Sequence, residues 1–185
     1  YQNCCAAAEE LGHVYPIDAR SLSTGIGLQV LEAAEMARTG MPAAEIQKEA
    51  RKLADRSHAS FILDTLEFMH AGGRCSTVAA LGANLLGIKP CIEVREGKMG
   101  VCKKYRGSFE KCIRQYVKDR LDGRADIAPD LAFITHPACQ KNVVDAAMEE
   151  AAAYGAFDEV VETHAGCTVS CHCGPSTLGI LFVRK

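Results

Sequence analysis

The stretch Thr163–Gly179 holds the chain's densest set of side chains able to do chemistry, combining hydroxyls, imidazole and glycines that permit close backbone approach. Such a segment can hold an anion: His172 can offer a hydrogen bond or a full charge to a carboxylate, and neighbouring backbone N–H groups can form a nest for its second oxygen. The same residues also suit a self-satisfied structural turn, and chemistry alone leaves both readings open. A metal site is disfavoured. Cys167, Cys171, His172 and Cys173 are soft ligands, but Cys-His-Cys on adjacent positions wraps poorly around one tetrahedron and lacks a second ligand pair at a distance.

Three further constellations stand elsewhere. In Ala71–Ser76 a Gly-Gly pair brings Arg74 and Ser76 to the start of the next helix, a setting that favours carboxylate or phosphate, although Gly-Gly also simply ends helices. Ser21–Gly27 has two glycines but neither a third nor the Lys-Ser/Thr of nucleotide loops, so its hydroxyls read as helix caps. Lys103, Lys104 and Arg106 form a compact basic run, usually a solvated strand end and less often a partner surface. Nothing resembles a nucleophile elbow or H-E-x-x-H, so binding is favoured over catalysis.

The elements that position these groups follow from composition and periodicity. With 185 residues, 48% of them hydrophobic, the chain can build one full core or two small ones. Lys and Arg number 21 against 23 Asp and Glu, and the formal charge of -2 gives no field for nucleic acid or an anionic membrane. No apolar run approaches the roughly 20 residues of a membrane span, and no signal segment opens the chain, which predicts a cytoplasmic location. The ten cysteines are expected to be mostly reduced packing residues, with Cys4, Cys5, Cys75, Cys112 and Cys139 in helix-like stretches.

Tyr1–Leu11 has helical composition without a cap or preceding strand, so the chain is expected to begin inside an element. A short strand is expected over His13–Asp18. A helix then carries Ile26, Leu28, Val30, Leu31, Ala34 and Met36 on one face up to Gly40, and a second runs over Pro42–Arg56. Ala59–Leu63 reads as a buried strand, with a domain boundary near residue 58. Short helices are expected at Leu66–Ala71 and Thr77–Leu86, and a hairpin from Lys89–Val94 and Lys98–Lys104 around Glu96-Gly97. Then come a helix at Lys111–Leu121, a strand at Leu131–Thr135, a helix at Val143–Tyr154, a strand at Val160–Thr163, a Gly-rich turn and a last strand at Leu178–Val183. This alternation gives an α/β class, α+β in its second half.

Taken together, DARSLSTGIG at 18–27, GGRCS at 72–76, GIKP at 87–90, KYRG at 104–107 and HCGPSTLG at 172–179 resemble the DegV family in matching order, from end to end of the chain. Tyr1-Gln2 resembles the tail of that family's Ser-Gly-Thr-Tyr-Gln motif, so the opening of a first domain is expected to be missing. The resemblance implies two domains, here residues 1–58 as the remainder of the first α/β domain and 59–185 as the second, with a long-chain fatty acid in the cleft between them. It further implies a non-enzymatic carrier subunit of a bacterial fatty acid kinase, which presents the carboxylate to a separate ATP-using catalytic subunit and needs no cofactor or metal. On that motif match His172, Gly174, Cys173 and Arg74 line the ligand site, while Arg106, Lys104 and Lys103 meet the partner. Ala19 and Ser176 stand where other side chains are common. The alternative is an enzyme acting on a small carboxylated or phosphorylated metabolite at the Arg74/His172 cleft, and a third reading is a redox or metal protein using the cysteines.

Overall fold

The computed structural model describes residues 1–74 and 87–185. The expected helix over Thr77–Leu86, together with Cys75 and Ser76 of the Gly-Gly-Arg motif, lies outside the described residues. Within them the chain runs α1 (Gln2–Leu11), α2 (Thr24–Arg38), α3 (Ala43–Arg56), β1 (Ser57–Leu63), α4 (Glu67–Ala71), β2 (Ile88–Arg95) and β3 (Lys98–Arg106). It continues through α5 (Phe109–Leu121), β4 (Ile127–His136), α6 (Lys141–Tyr154), β5 (Glu159–His164), α7 (Cys167–Cys173) and β6 (Thr177–Arg184).

One six-stranded sheet, in the order β3-β2-β1-β6-β4-β5, organises the molecule. Its pairings are antiparallel except β4 with β5, which are parallel and joined through α6, as parallel neighbours require a crossover. The fold is thus mixed α/β. Ser57–Leu63 is buried on both faces except at its first residue, which is why it reads as a continuous apolar run and lies at the centre of the sheet. The hairpin turns where expected: Glu96 (φ 51°) and Gly97 (φ 74°) both take the positive φ that a two-residue turn of right-handed twist demands.

Helices α5 and α6 cover one face of the sheet, packing Ile113, Tyr116, Val117, Val144 and Ala147 against Ile62, Ile134, Ile180 and Phe182. On the other face α2 and α3 set Leu28 and Leu53 against Ala59, Phe133 and Leu181. Beside them α4 and α7 set Met69 and Cys173 against Phe61, Leu63 and Ile92. Tyr116, fully buried, sends its hydroxyl between β1 and β6. There it donates to the Ser60 carbonyl (2.7 Å), lies 2.9 Å from Ser60 Oγ and accepts the Ile180 N–H (3.0 Å). Tyr116→Phe is expected to cost about 2 kcal/mol, because a buried carbonyl and amide each lose a partner. A lower urea midpoint with an unchanged slope would show it, and an unchanged midpoint would refute it.

Four expectations need correction. His13–Asp18 forms no strand; its carbonyls are met by side chains instead, Pro16 O by Gln47 Nε2 (2.7 Å) and Ala19 O just beyond it by Gln29 Nε2 (2.8 Å). The hydroxyls of Ser21–Thr24 do not cap α2: Ser23 makes no side-chain cap, Ser21 Oγ is buried without a partner, and Thr24 Oγ1 reaches Thr135 Oγ1 at 2.5 Å. Of the apolar face expected on α2 only Leu28 is buried, while Ile26, Val30 and Leu31 are exposed. The cysteines are less uniformly packed than expected. Cys91, Cys112 and Cys173 are buried, Cys4, Cys102, Cys167 and Cys171 are exposed, and Cys139 precedes α6 rather than lying in a helix.

Candidate functional site

The two motifs most suited to an anion meet at the junction of α4 and α7. The stretch read as a Gly-rich turn contains α7, which its own backbone closes, the Gly174 N–H donating to Ser170 O at 2.9 Å. His172 lies on the last turn of that helix, and its Nδ1 is buried without a hydrogen-bond partner. It lies so close to Gly72 that a Cβ added there would come within 2.1 Å of Nδ1. Gly72 also accepts the Arg74 guanidinium on its carbonyl (Nη1, 3.0 Å), so Arg74 and His172 flank one glycine. Gly174, at φ 83°, ψ 169°, has the Phe68 ring laid against its Cα. Both glycines are therefore required by close approach.

A buried imidazole nitrogen left without a partner is costly, and because Gly72 closes off Nδ1, an anion would have to meet the His172 ring from another side. Arg74 is exposed and can swing from the Gly72 carbonyl to an anion. Gly174 contributes clearance rather than a donor, its N–H being spent within α7. Cys173 turns its thiol into the apolar cluster around Phe61 and Leu63, where burial pushes its pKa up to about 11. Apolar side chains that remain only partly buried, Leu22, Leu66, Met99, Val101 and Val169, surround that cluster.

The basic run lies on β3, an edge strand. Lys103 is held by Asp119 (2.6 Å), whereas Lys104 and Arg106 are exposed and alternate with the buried Tyr105.

Two groupings escaped the sequence reading. Parallel pairing of β4 and β5 sets His136 opposite His164, with Glu162 Oε1 3.0 Å from His136 Nε2 and the three ligand atoms within 4.8 Å of one another. His136 Nδ1 accepts the Cys139 N–H (3.2 Å), which puts the ring proton on Nε2 facing Glu162. A metal-ligating imidazole has the reverse arrangement, its outer nitrogen donating, so this is a hydrogen-bonded cluster. Second, a cleft of about 1420 Å³ is lined by Arg20, Arg95, Arg124 and Arg184 together with Asp55, Glu93 and, at its wall, His58. Its arginines are largely engaged, Arg20 by Asp55 (3.0 Å), Arg95 by Glu93 (3.1 Å) and Arg184 by the Arg56 and Asp55 carbonyls. Their residues come from separate elements, so no local spacing could have announced them.

A mixed sheet between two helical layers, with a partnerless imidazole where two glycine motifs meet, defines a layered α/β protein with a candidate anion contact on one face of its sheet. A family model described as "Uncharacterised protein, DegV family" matches residues 1–185, and the chain belongs to the DegV family. A DegV domain-containing protein of Caldanaerobacter subterraneus is 27% identical over 189 residues, covering 100% of this chain and 66% of the relative. Among solved structures, a fatty-acid-binding DegV family protein from Thermus thermophilus superposes with a TM-score of 0.80 at 27% identity, over 97% of this chain and 64% of that one. A fatty-acid-binding DegV family protein from Streptococcus agalactiae gives a TM-score of 0.82 at 25% identity, over 100% of this chain and 65% of that one. The chain thus spans just under two thirds of the length of these relatives. Among the described residues no helix is long and apolar enough to cross a membrane.

Proposed function

We propose that this protein binds a long-chain fatty acid without catalysing a reaction of its own, and that it presents the carboxylate to a separate ATP-using kinase subunit in the bacterial cytoplasm. The likeness over 97% of the chain to a Thermus thermophilus protein described as fatty-acid-binding carries this reading. The carboxylate is received by the His172 imidazole, with Arg74 swinging in beside it, Gly174 leaving room and Cys173 packing beneath the turn. The acyl tail lies along the partly buried apolar side chains around Phe61 and Ile92, in a cleft between a domain ending near residue 58 and the one that follows. Each buried methylene contributes about 0.8 kcal/mol, so the tail supplies most of the affinity and the head group mainly sets orientation. Lys104 and Arg106, with Lys103 partly neutralised by Asp119, form the surface that meets an acidic partner and speeds encounter more than it adds affinity.

Organic extraction of the purified protein followed by mass spectrometry is expected to release a long-chain fatty acid. His172→Ala is expected to weaken fatty acid binding about tenfold, the loss of roughly one charge-assisted hydrogen bond, with the thermal midpoint nearly unchanged. An extract without fatty acid, from protein that also fails to take up added palmitate in calorimetric titration, would overturn the proposal.

A further inference from the structure

Cys91 on β2 and Cys102 on β3 are brought together by the hairpin itself: the register that pairs Arg95 with Lys98 and Ile92 with Val101 leads next to Cys91 and Cys102. The register shifts between Cys91 and Ile92, so that Cys91 faces Lys103 and Ile92 faces Val101, leaving Cys102 as an extra residue on β3. Both sulfurs then point to the α5 side of the sheet and lie 3.3 Å apart. Cys91 is fully buried and Cys102 belongs to an exposed residue, so one sulfur meets solvent and the other waits behind it. Arg120, on α5, reaches over the pair: its Nη1 donates to Cys102 Sγ at 3.5 Å, and its buried Nε has no partner. The guanidinium is only 15% exposed and is balanced by Glu93 at 3.6 Å. A partly exposed thiol next to a cation, with a second thiol in reach, is the environment of a reactive cysteine.

We infer that Cys102 and Cys91 form a redox-reactive thiol pair, in which Cys102 attacks a hydroperoxide and Cys91 resolves the product into a disulfide across the hairpin. The Cys102 thiolate takes the outer oxygen of the peroxide, breaking the O–O bond and giving a sulfenic acid with hydroxide or alkoxide leaving. The Cys91 thiol then attacks the Cys102 sulfur, forming the S–S bond and releasing water. Two electrons pass from the sulfurs to the peroxide. The roles are not interchangeable. The hydrogen bond from Cys91 and the nearby Arg120 bring the Cys102 pKa down to about 7, while that same bond and burial push the Cys91 thiol well above its ordinary range. The pair sits on the face of the sheet opposite the His172 junction.

At pH 7 a thiol of pKa about 7 is roughly half ionised against about 3% for an ordinary one, but its lower intrinsic nucleophilicity takes back about fivefold. Cys102 should therefore react with iodoacetamide about threefold faster than an unperturbed thiol. Hydrogen peroxide added to the native chain, followed by acid quench and peptide mass spectrometry, should give a Cys91–Cys102 cross-link that dithiothreitol reverses. Exposed Cys4, Cys167 and Cys171 serve as internal controls. Cys91→Ser should accumulate a dimedone-trapped sulfenic acid at Cys102, and Cys102→Ser should leave Cys91 unmodified. Cross-linking seen only in urea, oxidation of the control cysteines ahead of Cys102, or a dimedone adduct on Cys91 would each overturn the inference.

Discussion

Gly174→Ala is expected to destabilise the fold by about 3–4 kcal/mol. The backbone at Gly174, φ 83° and ψ 169°, lies in a region open essentially to glycine alone, and forcing a Cβ there costs about 1–3 kcal/mol. The added carbon would stand 2.3 Å from Cδ2 and 2.7 Å from Cε2 of Phe68, an overlap that only a shift of α4 or of the ring can relieve, at about another 1–3 kcal/mol. These two costs can be separated. Phe68→Ala placed in the Gly174→Ala background removes the steric part and leaves the backbone part, so the double mutant should regain stability relative to the sum of the single changes. Denaturant unfolding of the four proteins supplies the cycle. A Gly174→Ala protein within 1 kcal/mol of the parent would mean that α7 ends in a different backbone conformation.

Where local chemistry dictated local structure, the sequence was readable. Glu96-Gly97 between alternating strands specifies its hairpin, Ala59–Leu63 specifies a central strand, and the helix over α6 follows its apolar spacing and ends at Gly155 with φ 68°. Two of the misses share a cause, satisfaction of polar groups by distant partners. His13–Asp18 has strand composition but finds Gln47 instead of a neighbouring strand, and Thr24 is drawn from capping to a hydroxyl on β4. The exposed Ile26, Val30 and Leu31 on α2 show that periodicity names an apolar face without saying what covers it. At the candidate site the residues themselves were legible as motifs, and so was their suitability for an anion. Their meeting was not, since it depends on α4 and α7 packing across a separation of about a hundred residues, and on a helix hidden in what reads as a turn. The Cys91–Cys102 pair was latent in the expected hairpin, since a two-residue turn at Glu96-Gly97 continued down both strands sets Cys102 opposite Cys91; the irregularity there pushes Cys102 out of the ladder without parting the sulfurs.

Acid is expected to unfold this protein mainly through His58, at a cost of about 3 kcal/mol between pH 6.5 and 4. His58 is 4% exposed, stacked on Phe182 at 4.6 Å, with Nε2 partnerless and Nδ1 3.9 Å from Glu93. Burial, and next the nearby Arg124, bring its pKa down to about 4, the opposing pull of Glu93 being too weak to restore it. In the unfolded chain the same imidazole titrates near 6.5. Below that pH the unfolded state takes up a proton that the folded state refuses until about pH 4, so stability falls as pH falls, approaching 1.4 kcal/mol per pH unit within the window. Glu93 adds its own acid sensitivity, but later. Burial favours its neutral form, yet the Arg95 hydrogen bond and the neighbouring cations hold its pKa below the usual carboxylate value, so its contribution fades only below about pH 4.5. The interval between pH 6.5 and 4.5 therefore isolates His58. Urea unfolding at half-unit steps should show the parent losing about 2 kcal/mol across it, while His58→Gln, which cannot titrate, begins less stable at neutral pH and stays nearly flat. If both proteins fall with the same slope, His58 takes up its proton as readily folded as unfolded, and the wall of the charged cleft is wetter than its burial implies.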